Sequence, residues 1–284
     1  MNSRKQIIYF STAFLLLAMI GNAAFAQRGA RKLGWQLGAQ AWSFNKYTFS
    51  EALDKADSCG MKYVEAFPDQ KIGGGIEGTM DYHMDAATRK AVLKMVKKHG
   101  LTLVSFGVVV AKDSADWEQL FKFAKAMGLE NIVSEPNVSD IPMISRMCDK
   151  YKINLAIHDH PKPSHYWNPD ILLAAIKGAS PRVGACADIG HWTRSGLDPL
   201  ECLKKLRGHV KEFHFKDLNE KSPEAHDVPW GTGVNNIIAI MEEMKAQHFK
   251  GPVMAEYEYN WYDNVKDITS SAAFFNQEAD KLAE

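Results

Sequence analysis

The sequence predicts a single (β/α)8 TIM barrel, and three observations predict it. Short β-rich runs alternate with amphipathic stretches throughout residues 27–284. Eight such pairs recur, roughly 30 residues apart, the spacing of a strand and its following helix in such a barrel. No linker or low-complexity stretch divides the chain. A doubly wound open sheet is the competing arrangement for strands and helices that alternate in this way.

The strand candidates are residues 35–42, 62–67, 101–109, 131–135, 153–158, 183–189, 210–215 and 252–257. Between them lie the marks of helix ends. Thr48 with Glu51 forms a capping box, and Gly60 closes that helix. Asp85 opens the next and Gly100 closes it, and Ser114 to Gly128 frames the one after. Asn168-Pro169 and Asp198-Pro199 each place a capping residue ahead of a proline suited to the first helical turn.

Composition narrows the function. The 284 residues carry 34 Lys+Arg against 34 Asp+Glu and are 46% hydrophobic, which excludes disorder and gives no basic footprint for nucleic acid. Arg4 and Lys5 precede an apolar run at 7–20, and Ala24-Phe25-Ala26 has the small residues of a cleavage site. Residues 1–26 therefore read as a signal peptide and 27–284 as one catalytic domain, periplasmic or secreted. The apolar run is shorter than the ~20 residues that span a bilayer, so no stable membrane insertion is expected after cleavage. Cys59, Cys148, Cys186 and Cys202 form no C-x-x-C pair and fall in helical or strand segments, so they read as buried thiols, with one disulfide left open.

Alternation within the strands says where side chains point. Ile153, Leu155 and Ile157 share one face, and Asn154, Ala156 and His158 the other. Phe213 and Phe215 oppose Glu212, His214 and Lys216; Val253, Ala255 and Tyr257 oppose Met254, Glu256 and Glu258. The apolar faces would pack on outer helices, leaving the polar faces inside, with their last members at the C-terminal rim where barrel enzymes keep their sites. Glu135, Asp188, His214 and Glu256 then converge there, a donor set suited to one divalent ion, Mn²⁺, Mg²⁺, Co²⁺ or Zn²⁺. Taken singly, a strand-end Glu is more often a rim ion pair, and a strand His more often a hydrogen-bonded core residue.

The runs Ser134-Glu135-Pro136, Ile157-His158-Asp159-His160-Pro161, Asp188-Ile189-Gly190-His191-Trp192, His214-Phe215-Lys216-Asp217 and Ala255-Glu256-Tyr257-Glu258 occur in that order. Together they resemble the sugar isomerase/epimerase superfamily of xylose isomerase-like TIM barrels, which also contains the AP endonucleases. The resemblance implies that Glu135, Asp188, His214 and Glu256 hold the metal, and that Glu135 and Glu256 are the catalytic acid/base pair. It also implies a substrate contact or second-metal role for His191 and a pocket-lining role for His158. Many relatives have Asn where this chain has Asp159, whose alternation turns it away from the lumen.

Further substrate-binding candidates are Trp42, Glu65, Trp192, Lys216 and Trp230, with Trp167 also near a strand end; indoles at a rim suit the C–H faces of a sugar. Lys216 either meets a substrate oxygen or pairs with Glu212 or Asp217. Residues 68–84, with three consecutive glycines, suit a lid. A divalent ion beside two carboxylates suits proton abstraction next to a carbonyl, leading to isomerisation, epimerisation or elimination. Export favours a non-phosphorylated sugar or a keto-glycoside as the small carbohydrate partner, and a homo-oligomer is compatible with the sequence. The alternatives are a glycoside hydrolase, which would use two carboxylates without metal, and a non-catalytic periplasmic sugar-binding protein.

Overall fold

The computed structural model describes residues 27–284; the signal peptide expected over 1–26 lies outside them. In chain order the strands are β1 (Trp35–Gln40), β2 (Tyr63–Ala66), β3 (Lys71–Gly73), β4 (Ile76–Thr79), β5 (Thr102–Phe106), β6 (Asn131–Ser134), β7 (Asn154–His158), β8 (Val183–Asp188), β9 (Val210–Phe215), β10 (Asp217–Leu218), β11 (Asp227–Val228) and β12 (Gly251–Ala255). The α-helices are α1 (Arg28–Leu33), α2 (Phe49–Ser58), α3 (Ala86–Lys98), α4 (Ser114–Met127), α5 (Ile141–Tyr151), α6 (Pro169–Ala175), α7 (Ile189–Arg194), α8 (Pro199–Lys205), α9 (Ile237–Ala246) and α10 (Val265–Leu282). Eight parallel strands close a barrel in the order β1-β12-β9-β8-β7-β6-β5-β2, which excludes the open sheet. No helix among the described residues is long and apolar enough to cross a membrane.

Each of the eight expected strands is present, and the capping chemistry sets the helix starts. The Thr48–Glu51 capping box is formed in both directions. Asp85, Asn168 and Asp198 cap α3, α6 and α8 through their side chains. The cap of α4 is Asp113, one residue before the expected Ser114, because its carboxylate accepts the N–H of Asp116 at 2.9 Å.

The apolar strand faces pack outward as the alternation requires. Phe213 and Phe215 on β9 meet Phe249, Phe275 and Trp230 with ring centroids 4.8–5.8 Å apart. Phe106 on β5 meets Phe123 on α4 edge to face. Inside the barrel, Val133, Ala156 and Cys186 form a small apolar plug. Towards the N-terminal ends of the strands, Ser105 and Asn131 donate to the Glu212 carboxylate at 2.6 and 2.9 Å, and Asn154 donates to Asn131 at 2.9 Å. Burial, reinforced by Glu65, pushes the Glu212 carboxyl well above its ordinary range.

Residues 68–84 are anchored, which argues against the expected lid. β3 and β4 pair as a hairpin whose Ile72 and flanking Met80 are fully buried. Its glycine turn is pressed onto α2: Gly73 and Gly74 have φ of +70° and +59°, and a Cβ there would lie 2.6 Å from Thr48 and 2.8 Å from Ser50 and Met95. Tyr82 and His83 then fasten the segment to Asp116 on α4, at 2.8 and 3.0 Å. The glycines serve close approach and a tight turn.

All four cysteines are buried free thiols. Burial pushes Cys148 and Cys202 up to about 12, and Cys59 and Cys186 also rise. The native chain should therefore leave a thiol reagent at pH 8 essentially unconsumed, and the same chain in denaturant should titrate four thiols; fast reaction of any native cysteine would contradict this packing.

Candidate active site

The C-terminal ends of β7, β8, β9 and β12 bring the site together. Parallel register places Asp188 beside His214, His158 beside Cys186, and Met254 beside His214. Because every second residue faces the lumen, His158, Asp188, His214, Lys216 and Glu256 all reach the same space. Donor atoms lie within 4.8 Å of one another in three groups among the described residues: His158, His160 and His191; Glu65, Glu212 and His214; and, all buried, His158, Asp188, His191 and Glu256. Asp188 and Glu256 were expected as metal ligands; Glu135 and His214 stand one contact outside this group.

Glu135 is held by its own set of partners. Its Oε1 accepts from the backbone N–H of His160 at 3.0 Å and lies 2.5 Å from His160 Nδ1, while Oε2 accepts from Ser164 at 2.8 Å. His158 Nδ1 is 3.5 Å away and links Glu135 to Asp188, whose Oδ2 is 3.6 Å from His158 Nε2. Burial alone would raise the Glu135 carboxyl, yet His158 and His160 hold it well below the usual range, so it is ionised. Asp188 and Glu135 keep His158 above the ordinary imidazole value in spite of its burial.

His214 is oriented from across the lumen. Its Nε2 lies 2.7 Å from Glu65 on β2, which leaves Nδ1 3.1 Å from Glu256 Oε2 without the alignment of a hydrogen bond. Glu65 is thus no substrate contact: it sits inside the strand, fully buried, below the rim. A carboxylate that fixes an imidazole and turns its other nitrogen to the site is the arrangement found around metal-binding histidines. Against burial, Cys186, Glu65 and Glu256 hold His214 well above its ordinary value.

Lys216 pairs with neither Glu212 nor Asp217. Glu212 is bonded lower in the barrel, and Asp217 accepts the backbone N–H groups of Gly231, Gly233 and Asn235 at 2.9–3.0 Å. The fully buried Lys216 ammonium instead lies 2.6 Å from Asp188 Oδ2, 2.5 Å from Glu256 Oε2 and 3.1 Å from Glu258 Oε2. These carboxylates hold its ammonium well above the ordinary lysine range against desolvation, and Lys216 in turn helps hold Asp188 and Glu256 well below theirs.

Arg194, which the sequence did not single out, shapes the other side. It donates to Glu258 at 2.8 Å, to Asp227 at 3.0 Å and to His191 Nδ1 at 3.2 Å. Burial drives His191 well below its ordinary value, so it is neutral. With Nδ1 accepting from Arg194, the ring proton sits on Nε2, 3.4 Å from Asp188. His191 is therefore a donor into the site. Asp159 is turned from the lumen as expected but is also buried, accepting the N–H of Asp188 at 2.8 Å, and burial with Asp188 nearby raises its carboxyl well above the usual range.

The expected tryptophans separate. Trp42 is 40% exposed and forms a wall with Phe67, 5.0 Å away, and Trp261, 6.4 Å away. Trp192 and Trp230 are core residues, not rim platforms. Trp192 follows His191 on α7, about 100° further round the helix, and is buried in the core; Trp230 packs on Phe215 and Phe275. Trp167 lies under the Lys162 ammonium, 4.0 Å from its ring centroid. Trp42, Phe67, His160, Glu256 and Glu258 line a recess of about 300 Å³ at the barrel mouth.

The residues fit a divalent cation. Both ring nitrogens of His158 and Nδ1 of His214 are buried without a hydrogen-bond partner, beside the ionised Glu135, Asp188 and Glu256. Carboxylate oxygens with imidazole nitrogens suit Mg²⁺, Mn²⁺, Co²⁺ or Zn²⁺.

Two stability measurements test this electrostatic frame. Glu65→Ala removes one of the two carboxylates that compensate the buried His214 cation and should cost about 3–5 kcal/mol in urea unfolding. Burial raises Asp227 up to about 7. Between the ordinary carboxylate value and that point the folded chain keeps a proton that the unfolded chain has lost, so this group's contribution to stability falls as pH rises across the window. Asp227→Asn should flatten that part of the curve of stability against pH; an unaltered slope would show that Asp227 is ionised throughout.

The family profile described as a xylose isomerase-like TIM barrel matches residues 53–278. No curated protein matches the chain. A crystal structure of a putative uncharacterized protein from Parabacteroides distasonis is 34% identical, with TM-score 0.71, covering 86% of this chain and 99% of that one. A xylose isomerase-like TIM barrel protein from Mycobacterium smegmatis, solved in complex with magnesium, is 14% identical with TM-score 0.72, covering 88% and 98%. A D-allulose 3-epimerase from Methylomonas sp. is 13% identical with TM-score 0.68, covering 86% and 98%. With its closed parallel barrel and the profile match over most of its length, the chain belongs to the family of xylose isomerase-like TIM barrels.

Proposed function

We propose that the chain is a divalent-metal-dependent enzyme that removes a proton next to the carbonyl of a non-phosphorylated sugar or a keto-glycoside. The outcome is isomerisation, epimerisation or elimination, and elimination would make it a lyase or hydratase of 3-keto-glycosides. The observation that carries this reading is the buried group His158, Asp188, His191 and Glu256 beneath an open, aromatic-walled recess. The magnesium complex and the D-allulose epimerase that share the fold support it. The recess also lacks arginine and lysine among its lining residues and presents the carboxylates Glu256 and Glu258, a poor setting for a phosphorylated sugar. This agrees with the exported location proposed from residues 1–26.

The bound ion would supply Lewis-acid polarisation of the substrate carbonyl. Asp188 and Glu256 would hold it, with His158 and the Nδ1 of His214 as the nitrogen donors nearest them. Glu135 is the base, kept ionised and fixed by His158, His160 and Ser164. The proton taken by Glu135 would pass through water to Glu256, and Glu256 or the water beside it returns it to the neighbouring carbon or to the opposite face. His191 donates its Nε2 proton to a substrate oxygen. Trp42 and Phe67 offer an apolar wall to the sugar ring or its aglycone.

Two measurements test this. Purified protein should carry stoichiometric divalent metal that Asp188→Asn largely loses. With a 3-keto-glycoside or a ketose in deuterium oxide, one α-proton should exchange, and Glu135→Gln should slow that exchange by about 10²–10⁴-fold. Aglycone release in chelator with no deuterium uptake would overturn the reading in favour of a glycoside hydrolase.

A further inference from the structure

We infer that Lys216 is a built-in cation that competes with the divalent ion for Asp188 and Glu256, and that loading the ion moves its ammonium onto Glu258. The inference rests on the metal-dependent reading above and adds to it how the ion gains entry. The Lys216 Nζ lies 2.6 Å from Asp188 Oδ2, 2.5 Å from Glu256 Oε2 and 3.5 Å from His191 Nε2, against three of the four residues of the buried group. A second cation bonded to the same two oxygens meets the full repulsion of this one in a site shielded from water.

The lysine is placed there by design of the chain around it. Its stem passes over Gly190 on α7, where a Cβ would come within 2.7 Å of Lys216 Cβ and 2.9 Å of Cδ. Its backbone carbonyl accepts from Asn235 at 3.0 Å, and the neighbouring Asp217 gathers three backbone N–H groups of the following loop. Only the far end of the side chain is free to move. Glu258 offers the nearest alternative, 3.1 Å away at the recess and already shared with Arg194. There the ammonium keeps a carboxylate partner and faces the recess, where it can donate to a substrate oxygen. The ammonium thus keeps two buried carboxylates compensated before the ion arrives.

Calorimetric titration of metal-stripped full-length mature protein with Mn²⁺, repeated with Co²⁺ absorption as a second readout, tests this. Lys216→Met keeps the stem volume beside Gly190 and removes the charge; it should bind the ion tighter by roughly 10- to 1000-fold. Glu258→Gln should weaken binding in the wild-type background and leave it unchanged beside Lys216→Met, because only a displaced ammonium needs Glu258. Circular dichroism checks each variant, and should Lys216→Met fail to fold, Glu258→Gln decides alone. Equal or weaker binding by Lys216→Met, or no effect of Glu258→Gln in the wild-type background, overturns the inference while wild-type binding preserves the metal reading. Binding by Lys216→Met with none by the wild type supports the competition and overturns metal dependence of the native enzyme. Absence of binding in every variant overturns both.

Discussion

A closed barrel of eight parallel strands must dispose of every second side chain inside a lumen that water barely enters. In this chain the lumen receives several ionisable groups, and their mutual compensation constrains everything else. Glu212 is neutralised by burial and bonded by Ser105 and Asn131; Glu65 answers His214; Lys216 answers Asp188 and Glu256. Removing one partner from either ion pair leaves a charge in low dielectric, which costs far more than an exposed pair contributes, and removing a donor from Glu212 leaves a buried polar group unsatisfied. The polar column therefore fixes which strands must end beside which, and the apolar faces of the same strands only have to find helices.

The eight strands and the lumen-facing parity of His158, His214 and Glu256 were legible because period-two alternation is a local property of the sequence. Capping at Thr48, Asp85, Asn168 and Asp198 was legible for the same reason, since the donor and acceptor lie within three residues. What could not be read is pairing at long range. Nothing near Glu65 says that it meets a residue 149 positions away. Lys216 has acidic neighbours at Glu212 and Asp217, yet its partners come from β8 and from the segment after β12. Tryptophan type alone does not separate the exposed Trp42 from the buried Trp192 and Trp230. The glycine run at 73–75 suggested motion because glycine permits it, whereas Ile72 and Met80 nail the hairpin down.

Arg194 had one usable mark: it follows His191 by three residues on a one-turn helix, so both lie on one face. That spacing couples the imidazole's tautomer to a guanidinium that is always charged. The loop through Asp227 and the end of β12 are tied into the same arginine, so the walls of the recess and the protonation of its donor share one support.

Under the export proposed from residues 1–26, the four free cysteines would have a consequence for the life of the chain in an oxidising compartment. They lie on separate elements: Cys59 caps α2, Cys148 is on α5, Cys186 lines the lumen from β8, and Cys202 is on α8. Once the barrel closes, oxidants do not reach them. The hazard is confined to the interval between export and closure, when an unfolded chain offers four thiols that could be mispaired in three ways as two bridges. Speed of burial, rather than any covalent staple, is then what protects the native pairing of strands, and a parallel barrel built from distant contacts is slow to close. If exported as proposed, such a chain would gain from a compartment that delivers it to folding quickly or reduces its errors, a dependence set by where its sulfur atoms sit.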